Sequence, residues 1–351
     1  MPVTVRDVAR HASVSSGTVS RVLNDHANID EELRRRVLRA MAELGYSRRP
    51  RGRIARSGAL LREIGFFLSL PHRRQGGDLL GTFWAHILHG AEREARRYGV
   101  RITYRPIRNP APQALRDEMA HTAPDAMLLV GATPRELVRE ALLAGLPTCL
   151  IDNVIPGLRA DAILSDNFWG GVVATDCLLA HGHRDIAFIG GPLEPGPGRV
   201  NTIYTLESRA AGYRAALQRA GARVRDGLFE SCDLTPSGGQ RACGRLLASG
   251  ERFTAIFCGN DPLALGVLRA LREAGIDVPG QVSVVGFDDD LTDHAVPPLT
   301  TIRVNKEEMG AAAVRRLLDR SAEPHGPPMT VTLGVELVRR DSVGPPAGGA
   351  L

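Results

Sequence analysis

Residues 4–24 read TVRDVARHASVSSGTVSRVLN, and the fold of the N-terminal part of the chain turns on this stretch. Thr4 opens a capping box with Asp7 three residues on. Val5, Val8, Ala9 and Ala12 then follow at helical spacing in one apolar stripe. Ser15 serves as a second N-cap, and Val19, Val22 and Leu23 make the buried stripe of a second helix ending near Asn24. Asp30 caps a third, with Leu33, Val37, Ala40, Met41 and Leu44 on one face and Gly45 as its C-terminal stop. Two short helices joined by a turn and propped by a third make a helix-turn-helix. The valines of the second helix face inward, and Ser16, Gly17, Ser20 and Arg21 face outward. Serine and threonine are middling helix formers, so a face built from them is suited to contact. Their hydroxyls can bond bases or phosphates, and Arg21 can make a bidentate contact to guanine. A small helical domain that binds protein would show the same periodicity.

The charge favours DNA. Residues 1–62 carry 13 arginines against 6 acidic residues, a net +7, while the rest of the chain holds 31 basic and 33 acidic residues. This is a polyanion-binding head on a near-neutral body. A length of 351 residues with 43% hydrophobic content supports two or three domains. No apolar run approaches the ~20 residues of a membrane span. The charged start MPVTVRDVARHA does not fit a signal peptide, so a soluble cytoplasmic protein is expected. The five cysteines (149, 177, 232, 243 and 258) form no CxxC pair and are expected as reduced core thiols. His181 and His183 lack partners at metal spacing. The GPLEPGPGR loop has neither Walker A nor GxGxxG form. No catalytic constellation stands out, so neither a metal, a cofactor nor an enzymatic activity is expected.

From residue 63 the chain alternates apolar runs with helical periods. REIGFFLSL, VRITYRPI, DAMLLVG, TCLID, DIAFIGG, TAIFCG and VSVVGF read as strands, and FWAHILHGAEREARRYG as the first of the helices between them. This is a parallel α/β pattern. Ligands of such sheets bind beyond the carboxyl ends of strands, where Asp166-Asn167, Asn260-Asp261 and Asp288-Asp289-Asp290 lie.

The head resembles that of the lactose-repressor (LacI/GalR) family of bacterial transcription regulators, through the pattern D-V-A-x-x-A-x-V-S-x-x-T-V-S-R-V-L-N. The body follows with Ser165-Asp166-Asn167, Gly182-His183-Arg184, Ile189-Gly190-Gly191, Arg209-x-x-Gly212, Phe257-Cys258-Gly259-Asn260-Asp261, Val285-Gly286-Phe287-Asp288-Asp289 and Pro298-Leu299-Thr300-Thr301-Ile302 in family order. The resemblance implies an all-α helix-turn-helix head (1–46), a basic hinge or linker (47–62) and an α/β two-lobed periplasmic-binding-protein-like core with parallel sheets (63–343). The first lobe would hold about 63–163 and 296–324, the second about 164–295 and 325–343, with 344–351 a disordered tail. It places Ser16, Gly17 and Arg21 at base-reading positions. Thr4, Ser15, Thr18, Ser20, Asn24 and Tyr46 would contact phosphates or position the head, and Asn28, Arg53 and Arg56 complete the DNA-binding set. Ser13 departs from the glycine common at its place. The arginine-rich connector resembles the family hinge helix at Ile54–Ser57, but Gly58 stands where a wedge leucine is expected. A hinge helix and a basic linker that only neutralises phosphate both remain open.

Polyhydroxyl ligands need planar polar side chains for hydrogen bonds and an aromatic face for their C–H side. Arg209, Asp288 and Asn260 supply the first, and Phe83 and Trp84 the second. By family position Arg209 and Asp288 lead the effector set, which Asp166 and Leu234 complete, Leu234 standing where relatives often present an aromatic ring. Core packing for Phe83 and Trp84, and a surface ion pair for Arg209, are the plain alternatives. The function implied is a regulator, most often a repressor, that binds a pseudo-palindromic double-stranded operator as a homodimer or tetramer and is switched by a small-molecule effector of the sugar type. A solute-binding protein serving a transporter, or a sugar-processing enzyme, are the rival readings.

Overall fold

The computed structural model describes residues 5–23, 31–44, 61–69, 81–108, 111–191, 203–290, 292 and 295–347. The chain divides into two compact units, Met1–Arg56 and Ser57–Leu351.

The first unit contains α1 (Val5–His11), α2 (Ser16–Leu23) and α3 (Glu31–Glu43). Val8, Ala9, Ala12, Val19, Val22, Val37 and Ala40 form its core, as the apolar stripes require. The α1–α2 turn places Ser13 at φ +52, the left-handed conformation that glycine adopts most cheaply. Arg36 of α3 compensates from outside the turn: its Nη2 donates to the carbonyl of Ala12 at 2.9 Å and of Ser13 at 3.3 Å.

The second unit holds two six-stranded sheets. The first lobe contains β1 (Glu63–Ser69), α4 (Thr82–Arg97), β2 (Arg101–Ile107), α5 (Pro112–Thr122), β3 (Ala126–Val130), α6 (Arg135–Leu143), β4 (Thr148–Ile151) and β5 (Asp161–Ser165). The second contains α7 (Asn167–Ala180), β6 (Ile186–Gly190), α8 (Tyr204–Arg219), β7 (Phe229–Ser231), α9 (Pro236–Ala248), β8 (Ala255–Cys258), α10 (Asp261–Glu273), β9 (Ser283–Asp288) and β10 (Thr300–Val304). The chain returns through α11 (Lys306–Ala322) and β11 (Thr330–Leu333) to the first sheet and ends at β12 (Val335–Val338) in the second. Strand order is β11-β5-β4-β3-β1-β2 in one sheet and β12-β10-β9-β8-β6-β7 in the other. All pairings are parallel except β10 with β12.

Both sheets are covered on both faces, which explains the nearly continuous apolar runs. Ile64, Phe66 and Leu68 pack with Ile87 and Ala91 of α4 and Met309 and Ala313 of α11, whereas Phe67 faces Leu115 of α5 and Val138 of α6. The second sheet repeats this, with Phe188 toward Ala210 and Tyr213 of α8 and Ile189 toward α9 and α10. Cys149, Cys177, Cys243 and Cys258 are buried free thiols.

The lobe crossings and the C-terminal boundary differ from expectation. The crossings between lobes fall at Asp166, Asn305 and Gly334 rather than near 163, 295 and 325. Thr300–Val304, expected in the first lobe, pairs with β9, Thr300 opposite Val285. Thr330–Leu333, expected in the second, pairs with β5, Thr330 opposite Ala162. Each crossing therefore comes where a strand has finished satisfying its backbone bonds. Gly344, expected in a disordered tail, is held by the second lobe: its amide donates to Ser283 Oγ at 3.0 Å and its carbonyl accepts from buried His183.

Candidate nucleic-acid interface and ligand cleft

In the head, Ser15 caps α2, its Oγ accepting from the Thr18 amide at 3.0 Å and lying 2.9 Å from Thr18 Oγ1. Ser16 and Gly17 are exposed on the first turn and Thr18 is half-buried. Ser20 and Arg21 fall within α2, and their side chains lie outside the described set. Helical spacing sets position 21 one turn beyond Gly17, on the face opposite buried Val19 and Val22. Thr4, Asn24, Asn28, Tyr46, Arg53 and Arg56, and with them the expected hinge, lie outside the described residues.

In the body, the strand ends of both sheets meet the three crossings. Helices α7 and α8 approach so closely that a Cβ on Gly171 would stand 2.2 Å from the Arg209 carbonyl. That contact sets Arg209 at the end of the second sheet with 3% of its surface exposed. Its Nε donates to Asn167 Oδ1 at 2.8 Å and its Nη1 to the Gly259 carbonyl at 2.6 Å. Its Nη2 lies 3.3 Å from Asp288 Oδ1, and the guanidinium stacks 3.7 Å over the Phe287 ring. A surface ion pair is thereby excluded.

Asp288 ends β9 and is buried, with its carboxyl pushed up to about 6 by desolvation, against the pull of Arg209 and Lys306. Asp152 follows β4 in the first lobe at φ +58. Its Oδ1 is enclosed without a hydrogen-bond partner. Burial pushes its carboxyl up to about 7, with Arg209 opposing and Asp288 reinforcing the shift, so the two acids and the arginine form one charge array across the lobes. Thr133 Oγ1 and Ser165 Oγ, beyond β3 and at the end of β5, are likewise enclosed and unpartnered. Phe83 and Trp84 on the first turn of α4 meet edge to face, centroids 4.8 Å apart. Trp84 lies over the end of β3, 3.3 Å from where a Cβ on Gly131 would stand. Gly131 has φ +77, so a side chain there would be both strained and crowded.

Other expected ligands have structural duties. Asp166 caps α7 by accepting from the Trp169 amide at 2.9 Å, and Asn260 caps α10 by accepting from the Leu263 amide at 2.9 Å. Leu234 packs against the core of the second lobe. The effector set read from the sequence leaves out Asp152 and Thr133, and it leaves out Ser165 and Asn167 although both stand in the Ser165-Asp166-Asn167 motif. A signal existed for Asp152, an acid directly after the apolar run of a strand, the same signature as Asp288. Chemically, the array combines a fixed guanidinium with two carboxyls, and the strand ends of the first lobe add two enclosed hydroxyls lacking partners, a set suited to a ligand rich in hydrogen-bond donors.

Residues 4–49 match bacterial regulatory proteins of the lacI family, and residues 175–343 match the periplasmic binding protein-like domain. The ribose operon repressor of Escherichia coli (strain K12) is 32% identical over 330 residues, 92% of this chain and 94% of that protein. The chain belongs to the lacI family. Among solved structures, a transcriptional regulator CelR–cellobiose complex superposes with a TM-score of 0.71 at 29% identity, covering 97% of this chain and 99% of that one. The lac repressor dimer bound to operator and the anti-inducer ONPF gives 0.68 at 26% identity, covering 98% and 100%. As a family member, this chain is a DNA-binding transcriptional regulator built from a helix-turn-helix head and a periplasmic-binding-protein-like body. Among the described residues, no helix is long and apolar enough to cross a membrane.

Proposed function

We propose that this regulator is a cytoplasmic repressor without enzymatic activity. It binds a pseudo-palindromic operator as a homodimer and changes its operator affinity when a sugar occupies the cleft between its lobes. The observation that carries the reading is the buried Arg209–Asn167–Asp288 array, electrostatically coupled to Asp152 at the end of a first-lobe strand, whose Oδ1 has no hydrogen-bond partner. A sugar hydroxyl donates and accepts at once, so a few hydroxyls can satisfy all of these. The ring faces of Phe83 and Trp84 suit the sugar's C–H side. A ligand that contacts both lobes has different affinity for open and closed arrangements, the condition for a switch. The ribose operon and cellobiose named for the relatives set the first sugars to try.

A thermal-shift panel of pentoses, hexoses and disaccharides tests the cleft, since a ligand that binds only the folded state raises its melting temperature. The expected result is a shift with at least one sugar that disappears in Asp288→Asn. No shift with any sugar, or a shift that survives the substitution, overturns the reading. For the head, Arg21→Ala should cost about 1–3 kcal/mol on an operator selected from random DNA. Equal loss on unselected DNA, followed by fluorescence anisotropy, would reduce Arg21 to a phosphate contact.

A further inference from the structure

Asp288 and Asp289 are consecutive non-glycine residues in left-handed conformations, φ +112 and +54. Such backbone persists only where its surroundings hold it. Most of the holding groups belong to the second lobe. The Asp289 carboxylate accepts from Arg303 Nε at 2.7 Å, Arg340 Nη2 at 2.8 Å and Thr292 Oγ1 at 2.9 Å. The Asp290 amide donates to Asp261 Oδ2 at 2.8 Å, and Asp261 Oδ1 accepts from Thr301 at 2.6 Å. These contacts fix the side chain of Asp289 and the amide of Asp290. The carbonyls of Asp288 and Asp289 go instead to Lys306, whose Nζ donates to both, at 3.0 Å for Asp289.

Lys306 is the first residue of α11, immediately beyond the Asn305 crossing, on a helix that packs in the first lobe. It is only 9% exposed, and its ammonium lies 5.8 Å from the centroid of the Phe83 ring on α4. A buried lysine is costly unless its donors are used, and here its ammonium donates to the carbonyls that the left-handed residues expose. Among the described hydrogen bonds of this loop, those from Lys306 alone reach it from a first-lobe element.

We propose that Lys306 is a positioning residue that holds the backbone presenting Asp288 from the first-lobe side of the crossing, so that the aim of this carboxylate follows lobe geometry. A turn at Asn305 moves the ammonium relative to the loop, and loosening of the loop is felt at the start of α11. The inference rests on the proposed reading that Asp288 contacts the effector.

The test compares the full-length protein with Lys306→Met and Lys306→Arg. Amide hydrogen exchange over residues 288–290 reads the hold directly, without any ligand. Calorimetric titration with D-ribose and with cellobiose reads its consequence. In Lys306→Met, exchange over 288–290 should speed up about tenfold while β6 and α7 keep their protection, and any sugar that binds the wild type should bind about tenfold more weakly. Lys306→Arg should recover much of both. Unchanged exchange over 288–290 in Lys306→Met overturns the proposal, even if the variant melts at a lower temperature. If neither sugar binds the wild type, that failure falls on the choice of sugar or on the cleft reading, and exchange alone decides the role of Lys306. Should Lys306→Met fail to fold, Lys306→Gln takes its place with the same expectations.

Discussion

The two lobes furnish the cleft in opposite ways. In the second, each nitrogen of Arg209 has a partner, drawn from Asn167, the Gly259 carbonyl and Asp288, and only Asp288 Oδ1, held by the 3.3 Å ion pair, makes no hydrogen bond of its own. In the first, Thr133 Oγ1, Asp152 Oδ1 and Ser165 Oγ are enclosed with none. A satisfied buried network is rigid and already organised. An enclosed polar group without a partner costs about 1–3 kcal/mol, which a ligand can recover. The second lobe therefore offers a prepared platform, and the first gains most from what is set upon it. Removing polar groups should thus have opposite effects on stability in the two lobes.

The largest expected effect is on the platform. Arg209→Ala leaves Asp288, Asn167 and the Gly259 carbonyl without their donor, and breaking a buried pair in this way costs about 3–5 kcal/mol. Urea denaturation measures it. Without the guanidinium, the Asp288 carboxyl takes up a proton more readily, so the loss should be smaller at pH 5 than at pH 8. A loss under about 1 kcal/mol would mean that the array is no more organised than the first lobe, and the contrast would fail.

Asp152 tests the other side. Its carboxyl is raised to about 7, above the ~3.9 of an unfolded aspartate. Between those values the folded chain binds more protons than the unfolded one. The stability linked to this proton is complete below about pH 4 and is lost as pH rises through about 7. Asp152→Asn removes that slope. Urea titrations at pH 5 and pH 8 should show the variant gaining on the wild type at the higher pH, by an amount on the order of 2 kcal/mol. A variant that loses ground at pH 8 would show that ionised Asp152 stabilises the unliganded protein.

The same contrast explains what could be read in the sequence. Strands buried on both faces, such as β1, β3, β6 and β9, announce themselves as apolar runs. The edge strands β11 and β12 are half exposed and carry threonine or glutamate, so they passed unread and the lobe crossings were misplaced. β5 is fully buried but begins with Asp161, whose charge is met by Arg320 and Arg316 from distant α11. This strand is not among those read from the sequence, since the partners of that charge lie about 160 residues away. The head was legible because its stripes are local. In the cleft, Arg209 and Asp288 were reachable through the family resemblance. Of the strand-end pair Asp166-Asn167, the sequence puts Asp166 rather than Asn167 in the effector set, because which of two adjacent polar residues caps a helix and which faces inward depends on the approach of another helix. Nothing in the sequence around Lys306 marks it out, because the two carbonyls it meets belong to a loop 17 and 18 residues earlier whose left-handed backbone is visible only in the fold.

The smallest expected effect isolates the first lobe most cleanly. Thr133 is 3% exposed, and its hydroxyl is enclosed without a partner. Its backbone is independently fixed, the amide donating to the Gly131 carbonyl at 2.6 Å and the carbonyl accepting from Asn153 Nδ2 at 3.0 Å. Thr133→Val keeps the shape and removes only the hydroxyl. Replacing an unsatisfied hydroxyl by a methyl should leave the unliganded protein as stable as before, or more stable by up to about 1 kcal/mol. The cost should appear only with ligand, as a weaker calorimetric affinity for whichever sugar raises the melting temperature of the wild type. A protein destabilised by more than about 1 kcal/mol would mean that this hydroxyl already has a partner in solution, such as an ordered water, and that the first lobe is as satisfied as the second.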